Sequence, residues 1–311
     1  MKPNLNTTLL LKVVRSLAAL AELKPYPGWT WGRGESDPGI LLRIRRALWI
    51  RLKVPIVIKW LDGLRLYIYP GDQISRGIFL TGSYEPNQFF LLNGLLKEGM
   101  TFIDIGANTG LYTLFAAKKV GKQGIVLAIE PSNREFERLR ENVKLNALTN
   151  VRFLQFAVSD HHKEAELLVA TEERSAHNTL GAFAYDSVVL QTKERVSVEK
   201  LDDVVRKEEL RHVDVIKMDI EGSEMSALQG AIGTLRQFHP LIILELSDRT
   251  LRYQGWSSQY VWQFLSENGY VIYGFDDNTG LPVQMQRKQY FDAENVIAVH
   301  STYSGKEFWP Y

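Results

Sequence analysis

FIDIGANTGLYT, at Phe102–Thr113, joins a short apolar run to the first turn of a predicted helix through a loop with a glycine at each end. The apolar run ends near Asp104, and Gly106 and Gly110 permit positive φ angles and close approach of a backbone or a ligand. The helix that follows offers N–H groups at its first turn. In an open parallel sheet, ligands bind beyond the carboxyl ends of the strands. The stretch therefore predicts a small-molecule site, and a tight turn without a ligand is the alternative.

Strand-like and helix-like runs alternate from about residue 98 onward, which predicts an α/β fold with a doubly wound, mainly parallel, Rossmann-like sheet. The runs VLAIE, VDVIKMDI and LIILEL are mostly apolar rather than alternating, as is typical of strands covered on both faces. Tyr270–Phe275 and Val296–His300 have no helix between them, so they are expected to be an antiparallel closing pair. The other predicted strands are Thr101–Ile105, Ile125–Ile129, Val151–Val158, Val213–Met218 and Leu241–Leu246. The predicted helices are Leu111–Val120, Asn133–Leu145, Glu224–Phe238 and Gln259–Glu267.

Residues 1–80 predict a small α+β lobe ahead of a larger domain over residues 81–311. Within the lobe, Pro55–Trp60 and Leu64–Tyr69 are rich in β-formers and flank an Asp-Gly pair, a strong hairpin signal. Leu9–Leu23 has apolar residues at helical spacing, interrupted by Lys12 and Arg15. We expect an amphipathic helix that packs on its own domain or makes peripheral membrane or partner contacts, and no transmembrane segment.

Composition excludes several classes of protein. The 311 residues include 37 Lys and Arg against 36 Asp and Glu, so no global field favours nucleic acid. The basic run over residues 43–53 is interpreted as the solvated edge of the lobe. The chain has no cysteine, which excludes disulfides, thiolate metal sites and cysteine nucleophiles. This fits a reducing compartment, and a cytoplasmic location is expected.

The second predicted strand ends in Glu130, about 20 residues beyond the glycine loop, where nucleotide-binding sheets place an acid that accepts ribose hydroxyl protons. The ligand is therefore predicted to contain a ribose. The loop Gly-Ala-Asn-Thr-Gly lacks the third glycine of the dinucleotide fingerprint, and Asp104 stands just before it. An acid beside the loop suits a ligand with a cationic amino-acid portion better than a pyrophosphate. An NAD-dependent oxidoreductase stays the alternative.

Between about residues 75 and 250 the chain resembles the FkbM type of S-adenosylmethionine-dependent methyltransferases. The resemblance is carried by GSYEPNQFFLL, EGMTFIDIGANTGLYTLFAA, GIVLAIEPSNREFERLRENVKLN, NVRFLQFAVSD, VSVEKLDDVV and VDVIKMDIEGSEMSALQGA. It implies a class I methyltransferase core with S-adenosylmethionine as cofactor. A small-molecule or glycan acceptor is expected, since the balanced charge disfavours nucleic acid.

Site residues carry over from the resemblance by position. It implies that Asp104, Gly106, Asn108 and Gly110 surround the methionine end of the donor and that Glu130 holds the ribose. The remaining assignments are Glu85 near the donor's amino group, and Ser159 and Asp160 beside the adenine.

The run KMDIEGSEM brings Asp219, Glu221 and Glu224 to the end of the fourth core strand and the start of its helix. The helix dipole accounts for Glu224, but not for three carboxylates at one place. An aliphatic hydroxyl is a weak nucleophile until its proton is removed, and a carboxylate with like-charged neighbours can remove it. The three acids are therefore the catalytic candidates, with Asp219 first as base. Coordination of Mg²⁺ by Asp219 and a partner is the alternative, although no second oxygen-ligand motif favours a metal.

The connection Glu164–Arg195 is long for this kind of sheet and is predicted to act as a lid. His177 within it is an alternative base, and the resemblance suggests that Asn178 and Thr179 face the acceptor. Glu245 ends the run LIILEL at the same rim as the acids, so it either binds the acceptor or caps the following segment.

The sequence thus predicts an S-adenosylmethionine-dependent methyltransferase that O-methylates a hydroxyl of a sugar, glycan or natural product. Protein N-methylation, an NAD-dependent oxidoreductase and a donor-binding module without catalysis are the alternatives. The core motifs are shared across different acceptors, so they leave the acceptor open. The aromatic-rich N-terminal lobe is expected to cover the site or to pair with a second subunit in a homo-oligomer.

Overall fold

The structure, a computed structural model, describes residues 40–303 of the 311-residue chain. The predicted helix Leu9–Leu23 and the proline- and glycine-rich connector after it lie outside the described residues. None of the described helices is both long enough and apolar enough to cross a bilayer.

Thirteen strands and ten helices make up the described part of the chain. The strands are β1 (Ile56–Lys59), β2 (Arg65–Ile68), β3 (Thr101–Ile105), β4 (Ile125–Ile129), β5 (Val151–Leu154), β6 (Ala157–Val158), β7 (Lys163–Ala170), β8 (Leu190–Glu199), β9 (Val215–Met218), β10 (Leu241–Leu246), β11 (Tyr270–Phe275), β12 (Pro282–Gln284) and β13 (Glu294–His300). The helices are α1 (Ile40–Arg51), α2 (Gln73–Thr81), α3 (Pro86–Leu95), α4 (Leu111–Val120), α5 (Asn133–Leu145), α6 (Leu201–Lys207), α7 (Glu224–Gln229), α8 (Ile232–Phe238), α9 (Asp248–Leu251) and α10 (Ser258–Glu267).

An eight-stranded sheet forms the centre of the molecule, in the order β12-β11-β13-β10-β9-β3-β4-β5. Neighbouring strands from β10 to β5 pair in parallel, and β13 inserts antiparallel between β10 and β11. The predicted α/β class, the mainly parallel sheet and its antiparallel closing strand are confirmed.

Both faces of this sheet are covered, which explains the uninterrupted apolar runs. All five residues of β3 are buried. Phe102 belongs to the hydrophobic cluster that includes α4, whereas Ile103 and Ile105 belong to the cluster on the opposite face, with α7 and α10. Because neighbouring strand residues point to opposite faces, a strand covered on both sides needs apolar residues at nearly every position.

The described part of the N-terminal segment packs onto the same core. Strands β1 and β2 form the predicted antiparallel hairpin, and its turn has positive φ at both Asp62 and Gly63. The side chain of Asn142 on α5 accepts a hydrogen bond of 2.9 Å from the backbone N–H of Tyr67. The buried side chains of this segment share one hydrophobic cluster with α4. The division of the chain at residue 80 stays a prediction.

Two predicted elements differ from the structure. The predicted strand Val151–Val158 is divided, because β6 leaves the central sheet and pairs with β8 in a three-stranded sheet, β6-β8-β7. The predicted helix Glu224–Phe238 is interrupted near Gly230, where a Cβ atom would lie 2.0 Å from the carbonyl oxygen of Ser159. The close contact between the two segments therefore requires glycine and breaks the helix there.

Much of the predicted lid is a β-hairpin rather than a loop. Strands β7 and β8 pair antiparallel over most of their length. Leu167 and Val169 point inward from β7 and, with Val196 and Val198, form a small hydrophobic cluster of their own. The stretch between the two strands, which contains a short 3₁₀ helix at Glu172–His177, reaches the site together with Leu167 of β7.

Candidate active site

A pocket opens at the carboxyl ends of β3, β4 and β9, where an open parallel sheet places its ligands. Four of the residues predicted to hold the donor line it, namely Asp104, Gly106, Asn108 and Glu130. Asp219 and the acceptor candidates Asn178 and Thr179 line the same pocket. The structure thus brings residues from three strands and the β7–β8 connection around one cavity.

The glycine loop passes very close to the end of β9. Gly106 has a φ angle of +78°, and a Cβ atom there would lie 2.1 Å from the carbonyl oxygen of Asp219. Gly110 instead allows α5 to pack closely against the loop, since a Cβ atom there would lie 2.6 Å from a methyl carbon of Leu139 on α5. Gly110 is not among the lining residues of the pocket. One glycine therefore shapes the cavity, and the other lets α5 approach the loop.

Every backbone N–H group of the loop Gly106–Gly110 donates within the chain. Gly106 and Ala107 both donate to the carbonyl oxygen of Ile129, at 2.9 and 3.0 Å, and Gly110 donates to Ala107. Asn108 donates to the carboxylate of Glu130 at 2.8 Å, and Thr109 donates to the side chain of Asn108. The loop consequently has no N–H group left to bind a pyrophosphate.

Glu130 is buried at the end of β4, with both carboxylate oxygens held by the backbone. Besides the N–H of Asn108, it accepts a hydrogen bond of 2.9 Å from the N–H of Ser132. Burial raises the pKa of Glu130 to about 8, and the nearby Glu135 adds to this, although both backbone hydrogen bonds act in the opposite direction. A carboxylate oxygen can accept more than one hydrogen bond, so each can still accept one from a hydroxyl.

The lining of the pocket beyond Glu130 is apolar. It consists of Ile129, Pro131, Phe156, Val158, Leu167 and Leu180. Ser159 and Asp160, which were predicted beside the adenine, are not among the lining residues. Ser159 is buried with its N–H bonded to Glu199, and Asp160 is half-exposed beside His161. The residues at this end are therefore those just before Ser159, where β6 has left the central sheet.

At the opposite end, two buried acids approach the pocket from different elements. Asp104 accepts a hydrogen bond from the hydroxyl of Thr113, and burial raises its pKa to about 6. Glu85 accepts hydrogen bonds of 2.6 Å from the hydroxyl of Tyr112 and 2.7 Å from the amide of Asn295. Burial also raises the pKa of Glu85. Glu85 itself does not line the pocket, but its partner Tyr112 does.

Lys217 lines the pocket between these acids, and the sequence analysis missed it. Its side chain is almost fully buried, with the Nζ atom 3.2 Å from the carboxylate of Asp219. Burial acts to lower the pKa of Lys217, but the charges of Asp219, Glu85 and Asp104 outweigh it and raise the pKa. Lys217 lies within the apolar run of β9, and this run was interpreted only as a buried strand. A lone cation in a strand covered on both faces is itself a signal, since a buried charge requires a partner.

The predicted acidic cluster divides into two roles. Asp219, Glu221 and Glu245 each place a carboxylate oxygen within 4.8 Å of the others. Burial raises the pKa of Glu221 and of Glu245, and their neighbouring carboxylates raise both further. The spacing of the three carboxylates also suits one divalent cation, the alternative left open by the sequence. Glu224 instead holds the turn, since it accepts hydrogen bonds from the N–H groups of Ile220 and Gly222.

His177 forms a dyad with Glu221 at the rim of this cluster. Its Nδ1 atom lies 2.8 Å from a carboxylate oxygen of Glu221. The centroid of the imidazole ring lies 5.2 Å from the centroid of the Tyr185 ring. The guanidinium of Arg249 lies over the same Tyr185 ring, 4.8 Å from its centroid. The rim beside Asp219 therefore combines an imidazole, an aromatic ring and charged groups.

The side chains of Asn178 and Thr179, which were predicted to face the acceptor, make hydrogen bonds within the chain. The Asn178 side chain accepts from the N–H of Ala170 and donates to Glu135, so both ends of its amide are used. The hydroxyl of Thr179 donates to the carbonyl oxygen of Glu221 at 3.0 Å. Both residues line the pocket while fixing the β7–β8 connection against it.

Three of the eight non-glycine residues with positive φ angles in the described part of the chain lie at or beside this pocket. Glu85, Asn108 and Glu221 all have positive φ angles, of 44°, 49° and 50°. A non-glycine residue in this region costs about 1–3 kcal/mol and persists only where its surroundings hold it. The hydrogen bonds of Glu85 with Tyr112, of Asn108 with Glu130 and of Glu221 with His177 help to hold this conformation.

The sheet order, the glycine loop, the acid that ends β4 and the acidic cluster after β9 define a Rossmann-like class I methyltransferase fold. A sequence profile described as the methyltransferase FkbM domain matches residues 104–272, which is more than half of the chain. The chain therefore belongs to the FkbM methyltransferase family.

Individual relatives are distant. Over 214 residues the chain is 24% identical to Methyltransferase 1 of Beauveria bassiana, a match that covers 61% of this chain and 81% of that protein. It is 29% identical over 160 residues to Methyltransferase sdnD of Sordaria araneosa, covering 43% of this chain and 61% of the relative. The solved methyltransferase FkbM of Methylobacillus flagellatus is similar with 17% identity and a TM-score of 0.41. That match covers 72% of this chain and about half, 52%, of the other.

Proposed function

We propose that the protein transfers a methyl group from S-adenosylmethionine to a hydroxyl of a sugar, glycan or natural product. The observation that carries the donor assignment is the pairing of a ribose-type acid with a loop that has no N–H group for a pyrophosphate. Glu130 can accept from ribose hydroxyls, whereas an NAD-type dinucleotide also needs donors for its phosphates. The family membership supports the same reaction.

The two ends of the pocket match the two ends of this donor. The apolar lining near Phe156 and Val158 suits an adenine ring. Asp104 at the other end suits the α-ammonium group of the methionine portion, and Lys217 suits its carboxylate. Glu85 lies behind Tyr112, to which it is hydrogen-bonded, and adds negative charge at this end. Bound S-adenosylmethionine supplies a methyl group activated by its sulfonium. The chain's part is to orient the two reactants in line and to take the proton from the acceptor.

Asp219 is the first candidate for the proton acceptor. It lines the donor pocket and belongs to the carboxylate group at the rim, so a hydroxyl bound beside the cavity is within its reach. His177 is the second candidate, since its Nδ1 is held by Glu221 and its Nε2 is not used in that contact. The aromatic ring of Tyr185 beside the imidazole suits the apolar face of a sugar or natural product.

The donor assignment is tested by isothermal titration of the full chain with S-adenosylhomocysteine and, separately, with NAD⁺. We expect micromolar binding of the former and none of the latter. In Glu130→Ala, binding of S-adenosylhomocysteine should weaken by at least about 100-fold, because two charge-assisted hydrogen bonds of about 1.5–3 kcal/mol each are lost. The control is Glu137→Ala, an exposed acid on α5 away from the pocket.

Either of two results would overturn this proposal. Absence of S-adenosylhomocysteine binding by a folded wild-type chain removes the methyl donor. Binding of NAD⁺ that depends on Glu130 would instead favour an oxidoreductase. If S-adenosylhomocysteine binds and only peptide amines are methylated in an acceptor screen, protein N-methylation replaces the hydroxyl acceptor.

Donor affinity should also depend on pH through Glu130. Because burial raises its pKa to about 8, this acid is mostly protonated at neutral pH without a ligand. The ionised form accepts hydroxyl protons best, so affinity should rise as the pH increases through that value, by about tenfold between about pH 7 and about pH 9. Titrations in buffers of different ionisation enthalpy should detect the released proton. Glu130→Gln should bind weakly with no such rise, and an equal rise in Glu130→Gln would contradict this prediction.

A further inference from the structure

A group of large apolar side chains is exposed on α1 and just after it. Ile40, Ile44, Ile50 and Val54 are 79%, 42%, 72% and 52% exposed. A helix turns by about 100° per residue, so Ile40, Ile44 and Ile50 lie within an arc of about 120° on the exposed side of α1, and Arg43 and Arg51 lie in the same arc. We call the four apolar residues the α1 stripe. It exposes apolar surface that the described fold does not bury.

The opposite face of α1 is firmly docked. Arg45 is buried and donates a hydrogen bond of 2.9 Å to the carbonyl oxygen of Leu80 in α2. The ring of Trp49 lies 5.5 Å from that of Phe79, and Leu52 belongs to the hydrophobic core. These contacts fix the rotation of the helix, so the stripe faces outward as part of a defined surface.

Positive charge surrounds the stripe. No Asp or Glu occurs between Asp37 and Asp62, whereas the whole chain is almost balanced. Arg43, Arg51 and Lys53 are exposed on or next to α1. A polyanion is therefore attracted to this face. Nucleic acid would use the cations but leaves large aliphatic side chains in water, whereas a lipid surface uses both.

We propose that α1 binds the surface of an anionic phospholipid membrane. The α1 stripe enters the boundary between headgroups and acyl chains, and Arg43, Arg51 and Lys53 contact the lipid phosphates. The helix lies in the plane of the interface and does not span the bilayer. This inference is independent of methyl transfer, and its test needs no turnover.

The test is co-sedimentation of the full chain with vesicles of phosphatidylcholine alone or mixed with phosphatidylglycerol. We expect binding to the anionic vesicles that falls with added salt. The double variant Ile44→Asn/Ile50→Asn and the double variant Arg43→Gln/Lys53→Gln should each lower the partition coefficient by about tenfold or more. The matched controls, Val283→Asn and Arg195→Gln, change an exposed apolar residue and an exposed cation elsewhere and should bind like the wild type.

Other occupants of the stripe give distinct results. If a second copy or the segment Leu9–Leu23 covers it, the chain does not bind anionic vesicles. The isoleucine variant would then dissociate an oligomer in analytical ultracentrifugation or lower the melting temperature. If a duplex oligonucleotide binds, the charge variant loses that binding and the isoleucine variant keeps it. Each of these outcomes overturns the proposal, as does vesicle binding that the isoleucine variant leaves unchanged.

Discussion

Replacement of Gly106 by alanine is expected to abolish donor binding. The new Cβ atom would lie 2.1 Å from the carbonyl oxygen of Asp219 and 3.0 Å from a methyl carbon of Ile220. Since the nearer atom belongs to the backbone, the loop and the end of β9 must move apart. Two sides of the pocket then separate, and the Asn108 N–H that holds Glu130 moves with the loop. Isothermal titration with S-adenosylhomocysteine should show at least about a 100-fold loss of affinity, because a misplacement of about 1 Å has effects of this size.

Gly99 provides a control that distinguishes the effect of a steric clash from the effect of backbone strain. Gly99 has a φ angle of +88°, similar to that of Gly106, but a Cβ atom there would meet nothing within 4 Å. Gly99→Ala should therefore cost only the strain of a left-handed alanine, about 1–2 kcal/mol of stability, and keep donor affinity. Thermal melting shows whether each variant is folded. If Gly106→Ala is folded and binds S-adenosylhomocysteine as Gly99→Ala does, the close contact at Gly106 does not shape the donor site.

Local sequence was enough to predict the half of the site that the central strands carry. The predicted bounds of β3, α4, β4 and α5 match the structure because each element has an uninterrupted apolar or amphipathic pattern with a clear end. Asp104 and Glu130 end neighbouring parallel strands, so they must meet at one edge of the sheet. Gly106 lies directly after the first of these strands. Their convergence follows from topology and needs no knowledge of distant contacts.

The other half of the site depends on contacts between segments that are distant in the chain, and a single sequence does not reveal these contacts. Strand β6 leaves the central sheet to pair with β8, some forty residues further on, and this moves Ser159 out of the pocket. Most of the predicted lid pairs as a β-hairpin, and its inner connection and Leu167 of β7 are the parts that line the site. Asn178 was predicted to face the acceptor, but the backbone of Ala170 and the side chain of Glu135 use its amide. The hydrogen bond to Glu135 exists only after the β7–β8 connection has packed against α5.

Removal of the proton acceptor should stop methyl transfer without removing the donor. Asn has nearly the shape of Asp but cannot take a proton, so Asp219→Asn should lower kcat by about 100-fold to 10,000-fold with any hydroxyl acceptor that the wild type methylates. The Kd of S-adenosylhomocysteine should change less than about tenfold, because Glu130 and the glycine loop remain. The assay is transfer of a labelled methyl group, together with isothermal titration of the same variant.

The matched variant His177→Gln decides between the two candidate bases. Glutamine keeps a polar side chain beside Glu221 but removes the imidazole that lies 2.8 Å from it. If Asp219 takes the proton, His177→Gln should lose no more than about tenfold in kcat, chiefly through acceptor orientation. If His177→Gln loses as much as Asp219→Asn, the imidazole held by Glu221 is the base, and Asp219 instead holds the charge of Lys217 at 3.2 Å. Equal and small losses in both variants would mean that neither group removes the proton. The acceptor's nucleophile would then be one that needs no base, such as a neutral amine.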